Sequence, residues 1–226
     1  MIVTDLGLLA YVDAWHIQAQ VHAKVVEGGS ETLLLVEHPP VVTLGRRPQS
    51  RKNLLASQTQ LRQAGIELVQ TDRGGDITFH GPGQLVAYPI VRLADHGLSV
   101  AGYVHRLESI VIGALSDLGI NSFADPGAIG VWSQYHDTAA KICAIGVRIR
   151  RGVSMHGLAL NVAGDLAGFS HIVPCGLAGR PVVSIAQILS DAAAPMPIVK
   201  KILTSHVLGA FATVAAASDN GQRRAL

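Results

Sequence analysis

At 226 residues, with apolar side chains at 49% and charged ones at 15%, the chain can bury one substantial core and is not an extensively disordered one. A net charge of +2, with 18 Lys and Arg set against 16 Asp and Glu, argues against nucleic-acid binding, which needs a clustered basic face. Two cysteines in unlike contexts make neither a disulfide framework nor a metal knuckle. Without a basic leader, a cleavage site or a bilayer-length apolar run, a cytoplasmic protein with no membrane association is expected.

In chain order, Ala14, Ile17, Val21 and Val25 recur at helical spacing and predict an amphipathic helix over 11–26, stopped by Gly28 and Gly29. Residues 33–37 and 41–44 read as strands around the rigid corner His38-Pro39-Pro40. Residues 51–64, with Leu54, Leu55 and Leu61, predict a second helix ended by Gly65. Strands follow at 66–70, 76–79 and 85–91, with Gly81-Pro82-Gly83 as the turn between the last two. Ser99 caps a helix over 100–118, and strands return at 128–132, 142–149 and 153–162, the last two forming a hairpin through Arg151-Gly152. Residues 186–189 and 197–217 close as helices, which leaves one domain over 1–217 and a flexible polar tail over 218–226. Strands come in groups with helices gathered between them, and this predicts an α+β fold with a mixed, largely antiparallel sheet and flanking helices.

Chemistry concentrates in four places. Residues 73–84 place four glycines, Arg73 and His80 within twelve positions beside predicted strands, where backbone without Cβ atoms admits a close ligand. The same glycines equally suit a tight hairpin. Neither GxGxxG nor a GKS/GKT motif is present, and Gly152 to His156 departs from GxSxG at His156, so no nucleotide site or serine hydrolase is indicated. The histidines lack tight ligand spacing, so no metal is expected. Arg148, Arg150 and Arg151 read as a solvated strand end, with docking of an acidic partner as the alternative. Cys143 alternates with apolar neighbours as a core residue.

Cys175 sits between Pro174 and Gly176. Taken alone it is a small buried hydrophobe or a nucleophile, with the Gly176 amide free to donate to an oxyanion. Lys141, opening the strand that carries Cys143, is a solvated edge residue unless it lies near Cys175, where an ammonium would lower the thiol pKa. His156 is either a base or a hydrogen-bonded core histidine.

At these blocks the sequence resembles the lipoyl(octanoyl) transferase family. The match runs through Glu37 to Gly45, Arg73 to Gln84, Lys141 to Arg148, His156 to Asn161, and Pro174-Cys175-Gly176. The resemblance implies the fold of the biotin and lipoate protein ligase catalytic domain. It also implies a cysteine/lysine acyltransferase of lipoate biosynthesis and protein lipoylation, with Cys175 carrying the acyl-thioester and Lys141 lowering its pKa. Substrate contacts carry over to Arg73, Gly74, Gly75, Asp76, Ile77, Thr78, Phe79 and His80, to Ala144, Ile145 and Gly146, and to Gly157, Leu158 and Ala159. The implied donor is octanoyl-acyl carrier protein, and the implied acceptors are lipoyl domains of 2-oxoacid dehydrogenase complexes and the glycine cleavage H protein. A monomer that uses no cofactor is expected. An ATP-dependent lipoate or biotin ligase, which has no use for Cys175, and a non-catalytic lipoyl-domain-binding module are the competing readings.

Overall fold

The computed structural model describes residues 1–174 and 179–212. Its frame is a seven-stranded sheet in the order β1-β2-β6-β10-β9-β8-β7, formed by β1 (Ile2–Leu8), β2 (Thr32–Glu37), β6 (Gln84–Ile90), β7 (Ser122–Asp125), β8 (Ala128–Tyr135), β9 (Thr138–Arg150) and β10 (Val153–Asn161). Every neighbouring pair is antiparallel except β1 with β2. A second sheet, β4-β3-β5, combines β3 (Val41–Leu44), β4 (Glu67–Gln70) and β5 (Thr78–His80), with β3 parallel to β4 and antiparallel to β5. This is the α+β, largely antiparallel arrangement that the grouping of strands predicts.

Strand periodicity sorts the large sheet's side chains into two cores. Leu33 and Leu35 of β2 face Tyr103, Leu107 and Val111 of α3 (Val100–Asp117), together with Leu203 and Val207 of α5 (Met196–Ala210). Their neighbours Leu34 and Val36 pack on the other side with Ala14 and Val25 of α1 (Tyr11–Val26). Between two layers of helix, β2, β6 and β10 are therefore buried on both faces. The small sheet has its own core, in which Val42, Leu44, Ile77 and Phe79 meet Leu61 of α2 (Gln58–Gln63), Phe169 and Ile172.

Three expectations need correction. The helix expected over 51–64 is a 3₁₀ turn (Pro48–Asn53) followed by α2, because the Leu55 and Ala56 amides donate to the His171 carbonyl and hold the intervening chain extended. Ser57 and Gln60 restart the helix as a capping box. The strand expected over 128–132 runs on to Tyr135 and turns at His136-Asp137 into β9, where His136 takes φ of 50°. Strands β1 and β7, at the two edges of the sheet, add to the expected set. The Arg151-Gly152 hairpin forms as expected, with φ of 51° and 73°, the left-handed pair of a two-residue turn. A short α4 (Ile185–Leu189) precedes α5, which ends at Ala210; the remainder of the expected last helix, from residue 213, and the 218–226 tail lie outside the described residues. No helix among the described residues is long and apolar enough to cross a membrane.

Candidate active site

The connection from β4 to β5 carries the glycine-rich block, and its shape follows from close backbone approaches. The Gly74 amide donates to the Val147 carbonyl of β9 at 2.8 Å, and Gly45 donates to the Asp76 carbonyl at 3.0 Å. A Cβ on Gly74 would stand 2.8 Å from the Val147 oxygen, and one on Gly45 would stand 2.4 Å from the Gly75 oxygen. The loop is thus pinned between the two sheets. Arg73 reinforces it: buried, its guanidinium donates to the Thr43 carbonyl at 2.7 Å, to Thr43 Oγ1 at 3.0 Å and to the Gly74 carbonyl at 3.0 Å.

Two adjacent cavities open along this loop. The first is lined by Arg73, Gly75, Asp76, Ile77, Thr78 and His80 from the loop and β5, by Ala144, Ile145 and Gly146 from β9, and by Gly157, Leu158 and Ala159 from β10. The second is lined by Gly74, Val147, Ile129 and Lys141, and it shares Gly75, Asp76, Ile145 and Gly146 with the first. Phe79 belongs to neither. In β5 the side chains of Thr78 and His80 fall on the cavity side and Phe79 on the opposite one, where its ring meets Phe169 edge-on with centroids 5.4 Å apart.

Further residues, among them Tyr11, His38, Asp72 and Tyr88, line the first cavity or brace its wall, and they were not among the residues that sequence reasoning selected. Tyr11, at the start of α1, turns its ring inward and stacks on His80 with centroids 5.7 Å apart. His38, in the corner after β2, donates from Nδ1 to the Leu9 carbonyl and accepts from the Tyr88 hydroxyl, both at 2.8 Å. Asp72 accepts from His156 Nε2 at 2.7 Å and pairs with Arg148, so Arg148 is ion-paired while Arg150 and Arg151 are solvated at the hairpin end. His156 is therefore a hydrogen-bonded core histidine. His80 donates from Nδ1 to Gln84 Oε1 at 2.6 Å, and Gln84 donates to Asn161 Oδ1 at 2.9 Å.

These imidazoles are held neutral. Burial, with the Arg73 guanidinium adding to it, holds His80 well below its usual range. Burial, then Arg73 and Arg148, push His156 down to about 3. The unfolded chain takes up a proton near 6.5 that the folded His156 refuses until about 3, so stability is present above 6.5 and is lost as pH falls through that window. His156 has φ of 57°, which Asn tolerates. His156→Asn is expected to flatten the acid limb of stability in urea unfolding followed from neutral pH downward. An acid limb as steep as the parent's would assign it to other groups.

Lys141 is buried at 5% exposure. Its Nζ donates to the Ile129 carbonyl at 2.9 Å and lies 4.7 Å from the Trp132 ring centroid. Arg180 stacks on the same ring at 3.6 Å and pairs with Asp125 at 2.6 Å. The Lys141 backbone is bracketed by the chain that follows residue 178, its amide donating to the Pro181 carbonyl at 2.9 Å and its carbonyl accepting from Val183 at 3.0 Å. On the other side of residues 175–178, the Val173 amide donates to the Asn53 carbonyl at 2.7 Å, and the Asn53 side chain donates to Asp76 Oδ2 at 2.6 Å. Cys175 itself, and hence its distance to Lys141, lies outside the described residues. Cys143 is fully buried, and desolvation pushes its thiol up to about 12, as suits a core residue.

The sequence profile of the lipoyl protein ligase A/B catalytic domain matches residues 10–207. An octanoyltransferase of Chloroflexus aurantiacus is 47% identical over 200 residues, covering 88% of each chain. An octanoyltransferase of Nitratidesulfovibrio vulgaris is 42% identical over 218 residues, covering 96% of this chain and 98% of its own. Among solved structures, a lipoate-protein ligase A bound with ATP superposes with a TM-score of 0.71 at 15% identity, covering 92% of this chain and 83% of its own. A bipartite lipoate protein ligase of Thermoplasma acidophilum gives a TM-score of 0.68 at 17% identity, covering 93% and 84%. At such identities the two structures are likenesses of fold.

Proposed function

The chain belongs to the lipoyl protein ligase A/B catalytic-domain family as one of its octanoyltransferases, and from that membership we propose that it moves an octanoyl group from acyl carrier protein to a lysine of a lipoyl domain through an acyl-thioester on Cys175. The observation that carries the reading is the pair of adjacent cavities sharing Gly75, Asp76, Ile145 and Gly146. The first takes the acyl chain against Ile77, Ile145 and Leu158. The second, with Lys141 in its wall, takes the thioester head.

In this mechanism Lys141 lowers the pKa of the Cys175 thiol, whose ordinary value is about 8.5, so that a thiolate is available at neutral pH. The thiolate attacks the donor carbonyl, the carrier thiolate leaves and takes up a proton from the Lys141 ammonium, and the octanoyl group rests on Cys175. The target lysine amine then attacks that thioester, the Cys175 thiolate departs, and the proton released by the amine passes to a nearby base. Because His80 is held neutral well below its usual range, it is a weak acceptor, and Lys141, left as a free amine by the first transfer, is the better one. Thioester exchange is nearly neutral in energy and amide formation is downhill, so neither ATP nor a cofactor is required. The reaction belongs in the cytoplasm, with lipoyl domains of 2-oxoacid dehydrogenases and the glycine cleavage H protein as acceptors and a monomer as the working unit. The described residues act as one catalytic domain.

The test is intact-mass analysis after incubation with octanoyl-acyl carrier protein and no ATP. A hydroxylamine-labile octanoyl adduct is expected on the parent protein and none on Cys175→Ala. Activity that appears only with ATP, and no adduct, would move the assignment to an ATP-dependent ligase of the same fold.

A further inference from the structure

Glu108 is a carboxylate on α3 that is 4% exposed, among Leu107, Val111 and the rest of the main core. Burying a carboxylate there costs desolvation that a leucine would not, so the position calls for a use. Its Oε1 accepts from the Gly130 amide at 3.1 Å, and its Oε2 accepts from Nδ1 of the exposed His105 at 3.0 Å.

The Gly130 amide needs that acceptor because β8 is irregular where it begins. Its register with β7 shifts between Ala124 and Asp125, whose partners are Val131 and Ala128, so Ile129 and Gly130 fall between paired residues. On the other side, pairing with β9 starts only at Val131, opposite Cys143. Gly130 itself takes φ of 124°, and a Cβ there would stand 2.6 Å from the Cys143 oxygen, so the kink is built on glycine. The kink leaves one peptide unit outside the ladder. Its N–H belongs to Gly130 and points to Glu108; its C=O belongs to Ile129 and receives the Lys141 amine at 2.9 Å.

A trans peptide is rigid and carries its N–H and C=O in opposite directions. Fixing one end therefore fixes the other. We propose that Glu108 is a positioning residue for acyl transfer, acting through the Ile129–Gly130 peptide to set where the Lys141 amine sits; the inference rests on the acyl-transfer reading of Lys141. The peptide is held between an acidic group on its N–H and a basic group on its C=O, an order in which each hydrogen bond polarises and strengthens the other.

Glu108→Leu fills the same space without an acceptor, and Glu108→Gln keeps a carbonyl that accepts from Gly130. In the leucine variant the rate of octanoyl transfer at saturating donor is expected to fall about 10²-fold, the cost of misplacing a reacting group by about an ångström, with the KM for octanoyl-acyl carrier protein unchanged. The glutamine variant is expected to recover most of that rate. A second measurement needs no turnover: labelling of Lys141 by an amine-reactive reagent, followed by peptide mass mapping, is expected to be faster in the leucine variant than in the parent and near the parent's rate in the glutamine variant. A folded leucine variant with the parent's turnover and labelling rates would overturn the proposal. Should the leucine variant fail to fold, Glu108→Ala, which also lacks an acceptor for the Gly130 amide, takes its place. Faster Lys141 labelling in a folded alanine variant than in the parent supports the coupling, and labelling at the parent's rate refutes it. A fully active Lys141→Ala would instead remove the acyl-transfer reading while leaving the labelling result intact, so the two failures are separable.

Discussion

Lys141→Ala is expected to leave the fold in place and to slow formation of the octanoyl adduct by about 10²-fold at neutral pH, the lower end of what a positioned proton-transfer group contributes. The deficit should shrink as the pH is raised. Without a neighbouring cation the thiol ionises on its own near about 8.5, so above that value the variant regains thiolate that the parent already has at neutrality. Single-turnover intact-mass measurements across that range read the effect directly. A rate at neutral pH equal to the parent's would show that the lysine does not activate the thiol. Lys141→Arg is not expected to rescue it. The Lys141 side chain lies against Gly130, whose added Cβ would already meet Lys141 Cε at 3.4 Å, and beside a Trp132 ring that Arg180 already covers, so a planar guanidinium does not fit in place of the amine.

The residues around Lys141 also show why its environment was only partly legible in the sequence. Helices α1 and α3 and the β9–β10 hairpin were readable because their signals are local: a 3.6-residue apolar repeat, a serine cap with a glycine stop, and Arg151-Gly152 between two apolar runs. The edge strands β1 and β7 gave no comparable signal, since Ile2, Val3, Leu8 and Phe123 are exposed and their pairing is supplied by β2 and β8. The helix expected over 51–64 failed for a related reason, because a distant carbonyl, that of His171, competes for its amides. The site divides in the same way. The glycine-rich block announced itself by composition, whereas Tyr11, His38, Asp72 and Tyr88 enter through contacts between residues far apart in the chain. Phe79 is the instructive single case: it lies inside a run of cavity residues, yet strand alternation alone turns it away. Glu108 carried no sequence signal beyond a charge on the buried face of an amphipathic helix. That mismatch was visible, and its partner was not.

Gly157 ties the first cavity to the stability of the whole sheet. It stands in β10 between β9 and β6, opposite Gly146, and a Cβ there would lie 2.2 Å from the Ala87 carbonyl oxygen and 3.0 Å from Pro89 Cδ. Those are backbone and ring atoms in the centre of a sheet covered on both faces, so nothing flexible can give way. Gly157→Ala is therefore expected to destabilise the protein by about 3 kcal/mol, the upper end of ordinary overpacking, and to lower Tm by roughly 6 to 12 °C for a chain of this size. Gly152→Ala is the informative comparison. Gly152 has φ of 73° but nothing within 4 Å of an added Cβ, so it meets only the left-handed backbone penalty, about 1 to 2 kcal/mol. Thermal unfolding of the two variants side by side separates collision from conformation, and equal losses would show that β6 and β10 part easily. Because Gly157, Leu158 and Ala159 also form the cavity wall, any Gly157→Ala protein that folds must have moved β10 away from Ala87. Its KM for the octanoyl donor is expected to rise while Gly152→Ala keeps the parent's value, which places the strand spacing, and not the loop alone, among the determinants of acyl binding.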